Sequence, residues 1–299
     1  MKQESNAMHF FKKLGMEGIA WSLRRLHCPV GKDALVLEIG AGGNPYPRAN
    51  ILLDAYEETV ERIESSLVKD RPLVLGFAEK LPFKNKSFDF IIASHILEHS
   101  PYPEHFLKEL MRVGKAGYIE TPDAFFERIN PFTYHRLEVA GIGSKIRIFK
   151  KPFWRHDREI VDEYERKLKD RKFIGFISKH PEPFYMRFYW QDSIDFEIVN
   201  PEVDSNWQLP DEAHIKSKSF GRLGMKMPIR GLVLRLVRIL FSQNNRNKKI
   251  DLFRLMACPT CGSDMLLRYS DSILCNNCRT AYPLKNGIPV MYPQTERMK

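Results

Sequence analysis

The stretch LEIGAGGNPYPRANILLDAY, residues 37–56, decides the fold. An apolar run leads into a glycine-rich turn, and a second strand-like run begins at Ile51, about ten residues after Gly40. Glycines at the end of a strand reach positive φ and let the backbone approach a ligand closely. Pro45 and Pro47 oppose a helix between the two runs. The stretch therefore predicts a nucleotide-binding type of turn without the helix that usually follows it.

The composition is that of a globular protein with a real core. The chain has 299 residues, 43% of them apolar, which is enough for about two domains. The longest apolar run, residues 231–241, contains Arg235 and Arg238 and is too short to span a bilayer. The start, MKQESNAMHFFKK, has no apolar core, so we predict no signal peptide. With cysteines spaced for metal, these features predict a cytoplasmic protein.

The net charge of +10 is concentrated in one segment. Residues 213–250 contain ten Lys and Arg and no acidic residue, whereas the rest of the chain has 37 basic and 37 acidic residues. We predict a polybasic connector with an amphipathic helix over 231–241. Its composition suits contact with an anionic membrane surface or RNA. The alternative, which we slightly favour, is that the Leu/Val stripe of this helix packs on the catalytic or zinc unit and that its arginines are solvated.

Apolar runs and helical spacing alternate along the first part of the chain. Strands are predicted at 34–39, 51–54, 73–77, 88–93 and 118–120, and helices at 8–27, 57–69 and 103–113. This alternation predicts an α/β fold built on a doubly wound, mostly parallel sheet. After residue 122 the pattern predicts a hairpin around the Gly-Ile-Gly turn at 141–143 and a charged helix at 157–170, while 173–200 are not assigned.

In such a sheet, ligands bind beyond the carboxyl ends of the strands, near the point where the strand order reverses. Glu38 and Gly40 lie at the end of the first predicted strand, and Asp54 ends the second. A carboxylate there can accept hydrogen bonds from both hydroxyls of a ribose. A dinucleotide fold would prefer Gly-x-Gly-x-x-Gly opening a helix, which the prolines oppose.

Four motifs, LEIGAGG, LLDAY, AEKLPFKNKSFDFIIASHILEH and GYIETPD, occur in order between about residues 34 and 123. Together they resemble the class I S-adenosylmethionine-dependent methyltransferases, in the branch that includes quinone-biosynthesis methyltransferases. The resemblance implies that Glu38 orients the loop or meets the methionine amino group, that Asp54 holds the ribose, and that Ser94 and His95 lie near the methionine end. The implied cofactor-binding set is Glu38, Gly40, Ala41, Gly42, Gly43, Asn44, Asp54, Phe77, Ala78, Glu79 and Ser94.

Two positions depart from the family pattern. Asn44 replaces the last glycine of the loop, and Phe77 replaces an acidic residue that often meets the adenine amino group. Adenine is then expected to be held by stacking and backbone contacts, between Phe77, Ala78 and Glu79. Because no helix follows the turn, we expect the N-terminal helix to cover the exposed face of the cofactor.

The sulfonium methyl of S-adenosylmethionine is already activated, so the enzyme mainly positions a nucleophile in line with the S–CH₃ bond. A hydroxyl acceptor also benefits from a general base. The candidates are His95, His99, Glu120 and His135, all expected at the carboxyl edge of the sheet. Each has a structural alternative, such as capping the next turn.

Cys258, Cys261, Cys275 and Cys278 form two C-x-x-C pairs separated by thirteen residues. This spacing predicts a tetrahedral structural zinc site, with disulfides disfavoured in a cytoplasmic chain. The surrounding sequence, with its CPTCG opening and YPLKNGIPVM ending, resembles the small zinc-binding activator of tRNA-, rRNA- and release-factor-modifying methyltransferases. That activator is normally a separate subunit, so its fusion here implies a stabilising role in cis.

We therefore predict a methyltransferase domain at 1–210, with 125–210 as an acceptor-side insertion, a basic linker with an amphipathic helix at 211–250, and a zinc unit at 251–299. The expected acceptor is a small molecule or a glycan- or lipid-linked group at the inner membrane face. One alternative is tRNA, rRNA or a translation protein, although Glu120-Thr-Pro-Asp stands where an Asn-Pro-Pro-Tyr-like motif would. Another is a binding module that keeps the fold without catalysis.

Overall fold

The computed structural model describes residues 1–59, 66–155, 157–208, 236 and 239–294. Its helices are α1 Asn6–Lys13, α2 Glu17–Leu23, α3 Pro103–Val113, α4 Ala124–Ile129, α5 Arg158–Lys167, α6 Arg171–Lys179 and α7 Asn244–Asn247. Its strands are β1 Val36–Ile39, β2 Ile51–Asp54, β3 Leu73–Leu75, β4 Phe90–Ser94, β5 Ala116–Pro122, β6 Leu137–Ile142, β7 Lys145–Lys150, β8 Tyr185–Gln191, β9 Asp195–Ile198, β10 Leu266–Arg268, β11 Ser272–Cys275, β12 Ala281–Lys285 and β13 Ile288–Pro289. Short 3₁₀ turns lie at Arg24–Leu26, Ala78–Lys80, Leu97–His99, Glu182–Phe184 and Leu252–Leu255.

The main sheet has six strands in the order β3-β2-β1-β4-β5-β8. The first five pair in parallel, and β8 runs antiparallel to β5. Strands β1 to β3 are buried along their whole length, which explains why they appear in the sequence as continuous apolar runs. The five predicted strands and the mostly parallel α/β fold are confirmed. The strand order reverses between β1 and β4, so a ligand is expected there.

The sequence predicted one continuous N-terminal helix over 8–27, which is wrong, because the structure has two separate helices there, α1 and α2. Gly15 has φ of +70°, which ends α1, and α2 starts two residues later. The predicted helix at 103–113 is confirmed as α3, with Pro103 in its first turn. Of the predicted helix at 57–69, residues 60–65 lie outside the described residues, and 57–59 and 66–69 are not helical.

The region after β5 builds both a second layer and part of the main sheet. The predicted hairpin is confirmed as β6 and β7, and β9 pairs in parallel with β7 to complete a three-stranded sheet. The predicted charged helix is confirmed as α5. The unassigned stretch 173–200 contains β8, which pairs with β5 from Ala116 to Pro122. Residues 125–210 therefore supply the sixth strand of the central sheet, and their role as an acceptor-side insertion stays a prediction.

The C-terminal unit is a four-stranded sheet in the order β10-β11-β12-β13. Val290 forms a parallel bridge with Leu75 at the free edge of β3, and Met256 forms a bridge with Phe83, which follows the 3₁₀ turn after β3. In the predicted basic linker, residues 211–235 and 237–238 lie outside the described residues, so contacts with a membrane or RNA stay predictions. Of the predicted amphipathic helix over 231–241, the described residues 236 and 239–241 are helical. Among the helices that the structure describes, none is long and apolar enough to cross a membrane.

Candidate cofactor and acceptor site

The glycine-rich turn after β1 has a conformation that requires glycine at two positions. Gly40 and Gly42 have φ of +70° and +56°. A Cβ on Gly40 would also lie 2.9 Å from the side chain of Ile96. The Gly40 amide donates to the Leu53 carbonyl at 2.9 Å, which holds the turn against β2. The turn therefore presents bare backbone at the strand-order reversal, as a nucleotide-type ligand requires.

No helix follows this turn within residues 40–50, all of which are described, as the prolines predicted. In a helix, the carbonyls of this segment would accept hydrogen bonds from backbone amides. Here the guanidinium of buried Arg71 donates instead to the carbonyls of Tyr46, Pro47 and Ala49, at 3.2, 3.3 and 2.5 Å. Arg25 donates to the Asn44 carbonyl and lies 4.1 Å above the Tyr46 ring. Two arginines thus hold an extended loop in place.

Glu38 anchors the same loop from inside β1. Its carboxylate is 3% exposed and accepts a hydrogen bond from the Tyr46 amide at 2.7 Å. Burial raises the pKa of Glu38 to about 7, and the nearby Arg25 and Arg71 charges oppose the rise. Glu38 therefore holds the loop through the Tyr46 amide, and its implied role toward the cofactor stays a prediction.

Asp54 ends β2 beside the turn. Its Oδ2 accepts from the Gly42 amide at 2.9 Å, and its Oδ1 accepts from the Tyr56 amide at 3.3 Å. The carboxylate is therefore fixed next to the glycine turn, at the place where a ribose would present its hydroxyls. Ala41, Gly43 and Asn44 complete this loop.

The end of β3 forms the predicted adenine side. Phe77 precedes the 3₁₀ turn that contains Ala78 and Glu79. Glu79 accepts a hydrogen bond from the Ser100 hydroxyl, and burial raises its pKa, so this carboxylate is engaged within the protein. The surroundings of Phe77 are aromatic, with Tyr56 at 6.0 Å and Tyr292 at 5.0 Å between ring centroids.

The predicted methionine side contains Glu120, which lies inside β5 and is fully buried. Arg24 binds both of its oxygens, Nε to Oε2 at 2.7 Å and Nη2 to Oε1 at 2.8 Å. Ser94 donates to Oε1 at 3.3 Å, and the Tyr118 hydroxyl donates to Oε2. Burial alone would raise the pKa of Glu120, but the contacts with Arg24 and His95 hold it well below its usual range. Because its pKa is so low, the Glu120 carboxylate binds a proton weakly and is a poor general base.

The ion pair of Arg24 also fixes the N-terminal segment over the carboxyl edge. The Arg24 guanidinium lies 4.1 Å from the Trp21 ring, and Trp21 packs on Tyr185 of β8 at 5.1 Å between ring centroids. Tyr185 in turn contacts His95 at 5.7 Å. Helix α2 and the turn after it thus lie on the side where we expected an N-terminal cover.

His95 is held between two carboxylates. Its Nδ1 lies 3.3 Å from Glu98 Oε1 and its Nε2 lies 3.1 Å from Glu120 Oε1. Partial burial of the ring favours the neutral imidazole, but the hydrogen bonds with Glu120 and Glu98 outweigh it and raise the pKa of His95 to about 9. His95 is therefore a cation near neutral pH and is not available to accept a proton.

His135 has the opposite character. Its Nδ1 lies 2.7 Å from Glu127 Oε2, and because an ionised carboxylate only accepts, Nδ1 carries the proton. Glu127 also accepts from buried Lys151 at 2.8 Å. Burial lowers the pKa of His135, although Glu127 opposes this, so the ring is neutral with Nε2 as its basic nitrogen. The His99 ring lies edge-on at 4.7 Å. The neutral His135 ring suits proton acceptance better than cationic His95 or the firmly ionised Glu120, but Nε2 faces Glu98 Oε1 at 4.0 Å and the side chain is only 9% exposed.

The four cysteines come together as the spacing predicted. Their Sγ atoms lie within 4.8 Å of one another, with Cys258–Cys278 and Cys261–Cys275 both at 3.6 Å. A tetrahedral zinc ion with bonds of about 2.3 Å places its sulfurs roughly 3.8 Å apart. Tyr282 and Thr280 hydroxyls lie 3.0 and 3.2 Å from Cys258 and Cys278, where they can support thiolates. The donor set therefore fits tetrahedral zinc.

The comparisons with known proteins match this geometry to a family. The model of the methyltransferase domain matches residues 37–119, which include the glycine turn, Asp54 and β5 up to Ile119. The chain carries a methyltransferase domain. Its two histidine candidates His95 and His99 lie within the matched range, whereas Glu120 and His135 follow it.

Parts of the chain are also similar to three other known proteins. The protein MJ1123 of Methanocaldococcus jannaschii is 31% identical over 94 residues, 30% of this chain, and the chain spans only 43% of its length. The UPF0434 protein of Nitrosococcus oceani is 38% identical over 47 residues, 15% of this chain and 80% of that protein. Over that segment, the chain belongs to the UPF0434 family. A complex of the Haloferax volcanii Trm112 methyltransferase activator with a methyltransferase contains a chain with 17% identity and a TM-score of 0.37, covering 64% of this chain and 99% of that one.

Several residues of the site were not predicted from the sequence. These are Arg24, Arg25, Arg71, Glu127, Lys151 and Tyr292. When the residues flanking an arginine or lysine are polar, the local sequence does not indicate that its side chain will be buried against a partner far along the chain. A weak signal existed for Glu127, because it lies eight residues before His135 in an aromatic stretch.

Proposed function

We propose that this protein transfers a methyl group from S-adenosylmethionine to a small-molecule or glycan- or lipid-linked acceptor. The observation that carries the proposal is the glycine turn at the strand-order reversal, with the Asp54 carboxylate fixed at 2.9 Å from the Gly42 amide. Such a turn accommodates a ligand against bare backbone, and the adjacent carboxylate suits a ribose.

In this proposal, the chain holds the cofactor through three groups of contacts. The Gly40–Asn44 loop lies against its middle, Asp54 accepts from the ribose hydroxyls, and the aromatic surroundings of Phe77 border the adenine. When bound, the cofactor supplies an activated sulfonium methyl group. The protein then acts mainly by orienting the acceptor and by excluding water.

The acceptor side supports a small acceptor group. The Arg24–Glu120 pair and the Trp21–Tyr185 contact bring the N-terminal segment over the carboxyl edge, beside His95. Aromatic side chains covered by the N-terminal segment favour a compact acceptor group over a wide nucleic-acid surface. If the acceptor is a hydroxyl, we propose that His135 takes its proton; the hydrogen bond from its Nδ1 to Glu127 and the contact of Glu127 with Lys151 support this role, because they orient the ring and balance the Glu127 charge.

We further propose that the four cysteines bind zinc as a structural ion, and that the C-terminal unit acts as a fused activator-like module. A site with four protein ligands has no open position for catalysis. The contact of Val290 with Leu75 supports a stabilising role, because it covers the free edge of β3, and the bridge of Met256 with Phe83 adds a second contact between the two units. Membrane or RNA contact through 213–250, and a location at the inner membrane face, stay predictions.

Cofactor binding is tested first by thermal unfolding with and without S-adenosylmethionine. A ligand at about 100 times its Kd stabilises the protein by roughly 2.7 kcal/mol. Asp54→Ala should lose most of this shift, whereas Asp264→Ala, a control whose side chain is 66% exposed, should keep it. No shift in well-folded wild type would contradict the proposal and favour a binding module without catalysis.

The acceptor class is then tested with cofactor carrying a labelled methyl group. We expect label in the lipid or small-molecule fraction of an extract and not in tRNA. Label in tRNA, together with a gel shift that anionic liposomes do not compete, would instead favour the RNA-directed alternative.

A further inference from the structure

The C-terminal unit reaches the cofactor edge of the methyltransferase domain. Beyond β13, Val290 pairs in parallel with Leu75, and the Met291 amide donates to the Leu75 carbonyl at 2.7 Å. This pairing lies at the carboxyl end of β3, whose last residue is Leu75. The next residue, Tyr292, donates its hydroxyl to the Ala55 carbonyl at 2.7 Å. Ala55 directly follows Asp54, so one side chain of the C-terminal unit lies next to the predicted ribose position.

The ring of Tyr292 packs against the residue that departs from the family pattern. It lies 5.0 Å from the Phe77 ring, at an angle of 34°, and Phe77 contacts Tyr56 edge-on at 6.0 Å. Tyr292 also packs against the cluster that contains Ala41 of the glycine loop. Aromatic faces hold a nucleobase by stacking, without needing a carboxylate to accept from its amino group. The rings of Tyr56, Phe77 and Tyr292 therefore offer stacking surfaces for adenine, in place of the acidic residue that the family pattern has at position 77.

We infer that Tyr292 forms part of the adenine pocket, so that both units of the chain build the cofactor site. The inference rests on the proposed function, because it concerns the same cofactor. It has a second consequence. The four cysteines order the strands that lead to Val290 and Tyr292, so removing their metal weakens binding of S-adenosylmethionine even though no cysteine touches it.

The test is isothermal titration of the full-length, zinc-loaded protein with S-adenosylmethionine and, separately, with adenosine. Tyr292→Ala should raise both dissociation constants by about tenfold, in the range found when a stacking ring is removed. Tyr292→Phe keeps the ring and loses only the bond to Ala55, so it should stay within about threefold of wild type. Tyr269→Ala is the matched control, because Tyr269 is exposed and follows β10 at the far edge of the same sheet.

Zinc content measured on each variant separates a local effect from loss of the C-terminal unit. Equal affinities of wild type and zinc-loaded Tyr292→Ala would refute the inference and leave the proposed function standing. Weaker binding of S-adenosylmethionine with unchanged adenosine binding would also refute it, since the effect would not lie at the adenine. Failure of wild type to bind S-adenosylmethionine at all would instead overturn the proposed function. Chelation of the zinc should weaken binding at least as much as Tyr292→Ala, and unchanged affinity would refute the dependence on metal.

Discussion

Replacing Arg24 by methionine should destabilise the protein by about 3 kcal/mol. The Arg24 side chain is only 10% exposed, and its guanidinium forms two hydrogen bonds with fully buried Glu120. Removing one partner of a buried ion pair costs about 3–5 kcal/mol, because the other charge is left without compensation. Tyr118, Ser94 and His95 still contact the Glu120 carboxylate, so the lower end of that range applies.

The assay is thermal and urea unfolding at neutral pH. A loss of this size lowers Tm by roughly 6–12 °C at 2–4 °C per kcal/mol. Arg166→Met is the control, since the Arg166–Glu163 pair is exposed, with 66% of the arginine side chain in solvent, and should change stability by less than about 1 kcal/mol. The double variant Arg24→Met/Glu120→Gln should be more stable than the sum of the single effects predicts. A destabilisation by Arg24→Met no larger than that of the control would refute a structural role for the pair.

Two further outcomes follow from the site. The pKa of His95 is raised to about 9 from 6.5, so its stabilising contribution is complete below about pH 6.5 and is lost as the pH rises through about 9. His95→Gln should therefore lower Tm relative to wild type at pH 6 and converge with it by about pH 9.5; a gap that does not change with pH would contradict this assignment. Cys275→Ser removes one buried thiolate, so zinc measured by metal analysis should fall from about one ion per chain to near zero, with a lower Tm because the edge of β3 loses its cover. A matched Cys28→Ser change, outside the cluster, should leave zinc content unaltered, and full zinc retention by Cys275→Ser would contradict the four-thiolate site.

The strands and the glycine turn could be predicted because their signals are local. A strand buried on both faces is an apolar run whatever it pairs with, and Pro45 and Pro47 exclude a helix wherever the loop lies. The N-terminal helix was predicted as one element because apolar spacing continues across Gly15. The positive φ at that residue breaks it, and spacing alone does not report φ.

The sequence by itself determined the order of the strands along the chain, the glycine turn with Asp54, and the grouping of four cysteines. Each depends on residue types at short spacing. Only the tertiary structure decided which charges become buried partners, as with Arg24 and Glu120, which are 96 positions apart. It also decided that His95 is a cation while His135 is neutral, and that Tyr292 lies beside Phe77. The physical reason is that desolvation and pairing depend on distances across the assembled sheet edge, which the local sequence does not specify.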